Sequence, residues 1–237
     1  MNSGKVITAL DFANASEALA FAENLDPNLS RVKVGKELFT RAGPQVVTQL
    51  NSMGFDVFLD LKFHDIPNTV AGAVRAACDL GVWMVDVHAS GGAPMLTAAA
   101  ESVKSSGANT LLIAITVLTS MTDEDVAGVG YANDAANQAV LLAKLAAQTG
   151  LDGVVCSPHE VPAIRRAVEP LAKNFITVTP GVRPGLLNST DDQRRTMTPA
   201  DAIRNGSDYL VIGRPITQAA NPNDALTSIL HDTHNAV

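Results

Sequence analysis

The sequence predicts an α/β protein folded as a single (β/α)8 (TIM) barrel, and three observations carry that expectation. Short β-rich runs alternate with longer helical patterns from end to end, the signature of parallel βα units. Eight such units divide 237 residues into stretches of about 30, the size of a strand, a loop and a helix together. Hydrophobic residues make up 46% and charged residues 17%, which supplies apolar surface for a large core and argues against disorder. The expected domain spans residues 1–237 with no internal boundary.

The strands are expected at Lys5–Leu10, Arg31–Val34, Asp56–Leu61, Trp83–His88, Thr110–Thr116, Gly153–Cys156, Phe175–Thr179 and Asp208–Ile212. Between them, Ala18, Leu19, Ala22 and Leu25 recur at helical spacing after Asn14 and Ser16, both candidate N-caps. Pro67 suits the first turn of the helix after the third strand, where its missing N–H has no partner to lose. The stretch 180–199 is rich in Gly, Pro, Asn, Ser, Thr and Asp, and a connection of that length in a compact domain reads as a mobile lid. A shorter stretch, Leu118 to Gly130, follows the fifth strand and could close over the same face.

No uninterrupted apolar run exceeds five residues, as in Leu111 to Ile115, whereas a bilayer-spanning helix needs about 20. The first strand-like stretch is too short for the apolar region of a secretory signal. Cys78 and Cys156 lack CxxC or Cys/His ligand spacing, which favours free thiols in a reducing compartment, so a cytoplasmic protein with no membrane partner is expected. A net charge of -7 argues against a nucleic-acid surface. It leaves room for an anionic small substrate, because screening makes the local charges of a site matter more than the total.

In a barrel of this kind the active site lies at the C-terminal ends of the strands. Asp11 ends the first expected strand, Lys33 lies in the second, Asp60 and Lys62 close the third, His88 the fourth, and Thr119 follows the fifth. Asp60 and Lys62 are two apart, so alternation sends both side chains inward over the barrel mouth. A carboxylate within a few ångströms favours the ammonium form of a lysine, which makes Lys62 a candidate proton donor. Lys33 and Asp65 could extend the pair into an alternating Lys33-Asp60-Lys62-Asp65 array whose charges are fixed before substrate arrives. Gly213-Arg214 after the eighth strand stands where such barrels commonly bind phosphate, glycine admitting backbone N–H groups and arginine adding a planar fork of donors. His88 is left unassigned and His64 reads as structural. His159, His231 and His234 read as surface residues, and Met53, Met84 and Met95 as core fillers.

The run Asp60-Leu61-Lys62-Phe63-His64-Asp65-Ile66-Pro67-Asn68-Thr69 resembles the signature of the orotidine 5'-monophosphate decarboxylase family. Ala9-Leu10-Asp11, Val32-Lys33-Val34-Gly35, Thr179-Pro180-Gly181-Val182-Arg183-Pro184 and Ile212-Gly213-Arg214-Pro215 stand in the same order and spacing, so the likeness covers nearly the whole chain. The resemblance implies a carboxy-lyase, free of cofactor and metal, that converts orotidine 5'-monophosphate to uridine 5'-monophosphate and carbon dioxide, the last step of pyrimidine nucleotide synthesis. It implies Lys62 as proton donor to C6, Asp60 beside the departing carboxylate, Lys33 orienting Asp60 and touching the ribose, and Asp11 as a ribose-hydroxyl ligand. Thr119 would contact the pyrimidine, Arg183 and Gln193 would reach the ligand from the long loop, and Gly213 and Arg214 would hold the phosphate. Asp65 and Thr69 would be lent to the neighbouring subunit's site, which makes the expected assembly a homodimer.

Two rivals have distinct signatures. Magnesium-dependent sugar-phosphate decarboxylases and aldolases of the same barrel group need an acidic ligand near the end of the second strand, where this chain has Lys33 and, four residues on, Glu37. A non-catalytic nucleotide-binding barrel would bind the nucleotide and release no product.

Overall fold

Runs rich in Val, Ile and Leu, each ended by polar or small residues, form the staves of a barrel. The computed structural model describes residues 4–184 and 196–236. Its strands are β1 (Val6–Ala9), β2 (Arg31–Gly35), β3 (Val57–Phe63), β4 (Met84–His88), β5 (Leu111–Ile115), β6 (Gly153–Val155), β7 (Ile176–Thr179) and β8 (Tyr209–Ile212). Every expected strand is present, its ends shifted by no more than a residue or two. They pair in parallel in chain order and β8 returns to β1, so closure removes the sheet edges.

The helices are α1 (Ala15–Ala22), α2 (Lys36–Ala42), α3 (Gln45–Ser52), α4 (Pro67–Asp79), α5 (Gly92–Ser106), α6 (Asp123–Gly128), α7 (Ala135–Gln148), α8 (Val161–Val168), α9 (Pro199–Arg204), α10 (Arg214–Thr217) and α11 (Pro222–His234). Their starts follow local chemistry. Asn14 caps α1, its Oδ1 accepting the Glu17 N–H at 2.9 Å, while Ser16 lies inside the helix and donates its hydroxyl to the same oxygen. Leu25, read as continuing that helix, lies beyond its end and is buried in the following turn. Pro67 opens α4 as its first helical residue. Within the stretch after β5, Thr122 and Asp125 form a reciprocal capping box that starts α6.

Two apolar layers hold the barrel. Inside, Ile7, Ala9, Phe58, Met84, Ile113, Val178 and Val211 fill the interior from alternate positions of the strands. Outside, the opposite strand faces, such as Val6, Val32, Leu59 and Val85, pack under the helices. Full burial of side chains as large as Phe58 and Met84 contributes about 1.5–3 kcal/mol each. Gly153 is required where β6 meets β7, because a Cβ there would stand 2.3 Å from the Ile176 carbonyl oxygen. At the N-terminal end the Arg31 guanidinium lies 4.4 Å from the Trp83 ring centre and 5.2 Å from that of Tyr209, and its Nε is 3.3 Å from Asp56. Cys78 and Cys156 are buried, and neither is in a disulfide. Among the described residues no helix is long and apolar enough to cross a membrane.

The stretch 180–199 is rooted on both sides. Val182 bridges to Met197, the Arg183 N–H donating to the Met197 carbonyl at 3.0 Å and the Met197 N–H to the Gly181 carbonyl at 3.2 Å. The left-handed φ of 76° at Gly181 turns the chain into that bridge. Most of the expected lid, Gln193 included, lies outside the described residues.

Candidate active site

Closing the barrel brings the C-terminal ends of the strands around a cavity of about 550 Å³, within the range of small-molecule sites. Phe58, Ile115, Val155 and Val211 give it an apolar floor. Asp11, Lys33, Asp60, Lys62, Thr119, Arg183, Gly213 and Arg214, all singled out from the sequence, line it. Ser120 and Gln218, which the sequence did not single out, line it too.

The charged side chains form a chain of alternating sign. Lys33 Nζ lies 3.2 Å from Asp11 Oδ1 and 3.3 Å from Asp60 Oδ2, and Lys62 Nζ pairs with Asp60 Oδ1. The central pair is nearly dry, with 11% of the Lys33 and 12% of the Asp60 side chain exposed, while Asp11 at the rim is 70% exposed. Burial alone would drive both central groups toward their neutral forms. For Asp60 that pressure is outweighed by Lys33 and Lys62, which hold its carboxyl below the usual carboxylate range. For Lys33 it is outweighed by Asp60 and Asp11, which raise its pKa. The array therefore fixes full charges in a place where water would otherwise be needed to stabilise them.

Strand alternation alone does not place Lys62. Its φ is +55°, in the left-handed region, and the register of β3 against β4 slips between Leu59 and Phe63. Such a backbone costs on the order of 1–3 kcal/mol in a residue with a Cβ. Part of that cost is offset by a hydrogen bond from the Lys62 N–H to Asp86 Oδ1 at 2.7 Å. Asp86 was not singled out from the sequence. It alternates with Met84 on β4, the parity that the closed sheet turns to the interior.

Asp65 and Thr69 stand apart from this cluster. Both are exposed where β3 gives way to α4, neither lines the cavity, and Asp65 Oδ1 accepts the N–H of Ile66, itself 67% exposed. His88 ends β4 with its ring 5.4 Å from that of His64. Burial, with the charges of His64, Lys36 and Lys62, pulls the His88 pKa down to about 4, so the ring is neutral at pH 7. His159, His231 and His234 are exposed. Glu37 is exposed and pairs with Arg41 at 3.2 Å along α2.

A closed parallel barrel with lysines and aspartates alternating at its C-terminal mouth around a buried Lys33-Asp60 pair belongs to the class of (β/α)8-barrel enzymes that act on small polar molecules. The family profile described as "Orotidine 5'-phosphate decarboxylase / HUMPS family" matches residues 4–229, and the chain belongs to that family. An orotidine 5'-phosphate decarboxylase of Legionella pneumophila (strain Corby) is 56% identical over 230 residues, covering 96% of this chain and 98% of the relative. One of Neisseria meningitidis serogroup C (strain 053442) is 54% identical over 224 residues, covering 94% and 90%. The crystal structure of orotidine 5'-phosphate decarboxylase from Lactobacillus acidophilus superposes with a TM-score of 0.83 at 38% identity, covering 96% of this chain and 98% of the other.

Proposed function

We propose that this chain decarboxylates orotidine 5'-monophosphate to uridine 5'-monophosphate and carbon dioxide, without metal or organic cofactor. The observation that carries the reading is the Asp11-Lys33-Asp60-Lys62 array, nearly dry at its central Lys33-Asp60 pair, lining a cavity sized for a nucleotide. Breaking the bond between C6 and the carboxylate leaves an electron pair in the plane of the pyrimidine ring, where no carbonyl can delocalise it. Such a charge has to be met by groups already in place. The Lys62 ammonium is the cation suited to meet it, first stabilising the pair, then giving its proton to C6 and recovering one from water. Asp60, next to the departing carboxylate, adds like-charge pressure on the bound substrate, and Lys33 keeps Asp60 oriented and reaches the ribose with Asp11.

Thr119 contacts the pyrimidine, and Gly213 with Arg214 holds the phosphate, joined by Arg183 and Gln193 when the 180–199 segment closes as a lid. Energy from a phosphate remote from C6 can drive closure and exclude water, raising the chemical rate rather than only the affinity. The working unit is a homodimer in which Asp65 and Thr69 reach the neighbouring subunit's site, their exposure at the rim supporting that reading. The lack of a disulfide at Cys78 and Cys156 supports a cytoplasmic setting. The test is the ultraviolet change on mixing protein with orotidine 5'-monophosphate, with and without excess EDTA. Full turnover in both is expected. Loss on chelation would point to the magnesium-dependent sugar-phosphate chemistry of the same barrel group, and tight binding without product to a non-catalytic barrel.

A further inference from the structure

The reaction just described gives Asp86 no part, yet its placement is unusual. It is fully buried in the barrel interior, in the middle of β4. Its Oδ1 accepts the Lys62 N–H at 2.7 Å. Its Oδ2 receives no hydrogen bond from any donor among the described residues, and the register of β3 against β4, with Phe58 opposite Met84 and Leu59 opposite Val85, sets Asp60 beside it on the neighbouring strand. Two ionised carboxylates side by side in a dry interior repel each other and cannot share a hydrogen bond, whereas a proton on one of them removes the repulsion and supplies the donor. Asp60 is held ionised by Lys33 and Lys62, one on each oxygen, whereas no ammonium makes an ion pair with Asp86 among the described residues.

We infer that Asp86 is a neutral, proton-carrying positioning residue whose O–H donates to Asp60 while its other oxygen holds the Lys62 backbone, so that one buried group aims both members of the reacting pair. The inference rests on the reading of Asp60 and Lys62 as the groups that act at C6. The groups facing Asp86 are consistent with it. From β3 it meets Asp60 and Lys62; on β5 its register partner is Ile113, and that strand holds no ionisable residue; His88, two residues on, is neutral. Burial first, and then the negative charge of Asp60, push the Asp86 carboxyl well above the ordinary range. A third hydrogen bond lets Asp60 keep both of its lysines while losing its freedom to rotate, and the left-handed turn at Lys62 is held by the same side chain.

The test reads the proton directly. In protein labelled with ¹³C at the aspartate side-chain carboxyls, the Asp86 resonance, assigned by its loss in Asp86→Asn, is expected at the protonated position at pH 7 and to move only under alkaline conditions. A resonance at the ionised position at pH 7 overturns the inference. In turnover, Asp86→Ala is expected to lower kcat about a hundredfold with KM little changed, the size of effect that misplacement of a reacting group produces. Asp86→Asn offers the same acceptor with a permanent N–H donor. It should recover most of that loss and lose the alkaline decline that ionisation of Asp86 imposes on the wild type. An Asn variant as slow as the Ala variant overturns the positioning role, and if the Ala variant does not fold, the resonance and the Asn variant still decide. Absence of any turnover by wild-type protein would remove the decarboxylase reading while leaving the resonance to settle the protonation of Asp86.

Discussion

Lys62 combines three properties that seldom coincide in one lysine: a left-handed backbone, an ion pair with a buried aspartate, and a place on the wall of a cavity. Its backbone is held by Asp86 and its ammonium by Asp60, so the side chain is aimed before any ligand arrives. Removing the amine should therefore cost chemistry far more than binding. Lys62→Ala is expected to bind the nucleotide and to lose about 10³-fold or more in kcat, the combined scale of a lost proton donor and a lost charge partner. Near-normal turnover by that variant would take the proton-donor role away from Lys62. The pairing of Lys62 with Asp60 was legible in advance, because an aspartate and a lysine two apart at the end of a strand share a face, whereas the left-handed backbone was not. Asp86 was not legible in the same way. In Met84-Val85-Asp86-Val87-His88 either parity of the strand could face inward, and only the register of the closed sheet decides that Asp86 shares the inner face with Met84.

The strands were readable element by element because apolar runs bounded by polar residues have the length of a stave and little else competes for them. Helix ends were harder. Leu25 keeps helical spacing after Ala22 but is buried by the turn that leads toward β2, since tertiary packing outweighs periodicity at a terminus. The slip in β3 was hidden for a related reason: nothing in Leu59 to Phe63 marks a bulge, which follows from how β3 and β4 fit. The closest backbone approach described above, at Gly153, makes a prediction at this scale. Gly153→Ala should destabilise the fold by at least about 1–3 kcal/mol, since a methyl group 2.3 Å from the Ile176 carbonyl forces β6 and β7 apart. Urea unfolding checks it, and an unchanged midpoint would mean that the two strands separate more easily than their packing implies.

At the scale of the whole molecule, one chain brings together most of the charge array but leaves Asp65 and Thr69 on its outer rim beside the exposed Ile66. A sequence can place these residues on one turn; it cannot say whether they serve their own chain's site or that of a second copy. Mixing supplies the answer. Lys62→Ala and Asp65→Ala chains, each expected to be nearly inactive alone, should regain activity when unfolded and refolded together, because a mixed dimer contains one site with both residues intact. No recovery, with mixed dimers demonstrably formed, would count against sharing across the interface.

The side chains packed through the barrel interior, with the Arg31 guanidinium against Trp83 and Tyr209 at the far end, make the site a cup and not a tube. In the reaction proposed above, carbon dioxide released at its floor would have one way out, upward past the product still lying in the mouth. Until it escapes it can recombine with the ring it has just left. Forward progress would then depend on a race at the bottom of the cup, which the proton that the proposal assigns to Lys62 would decide.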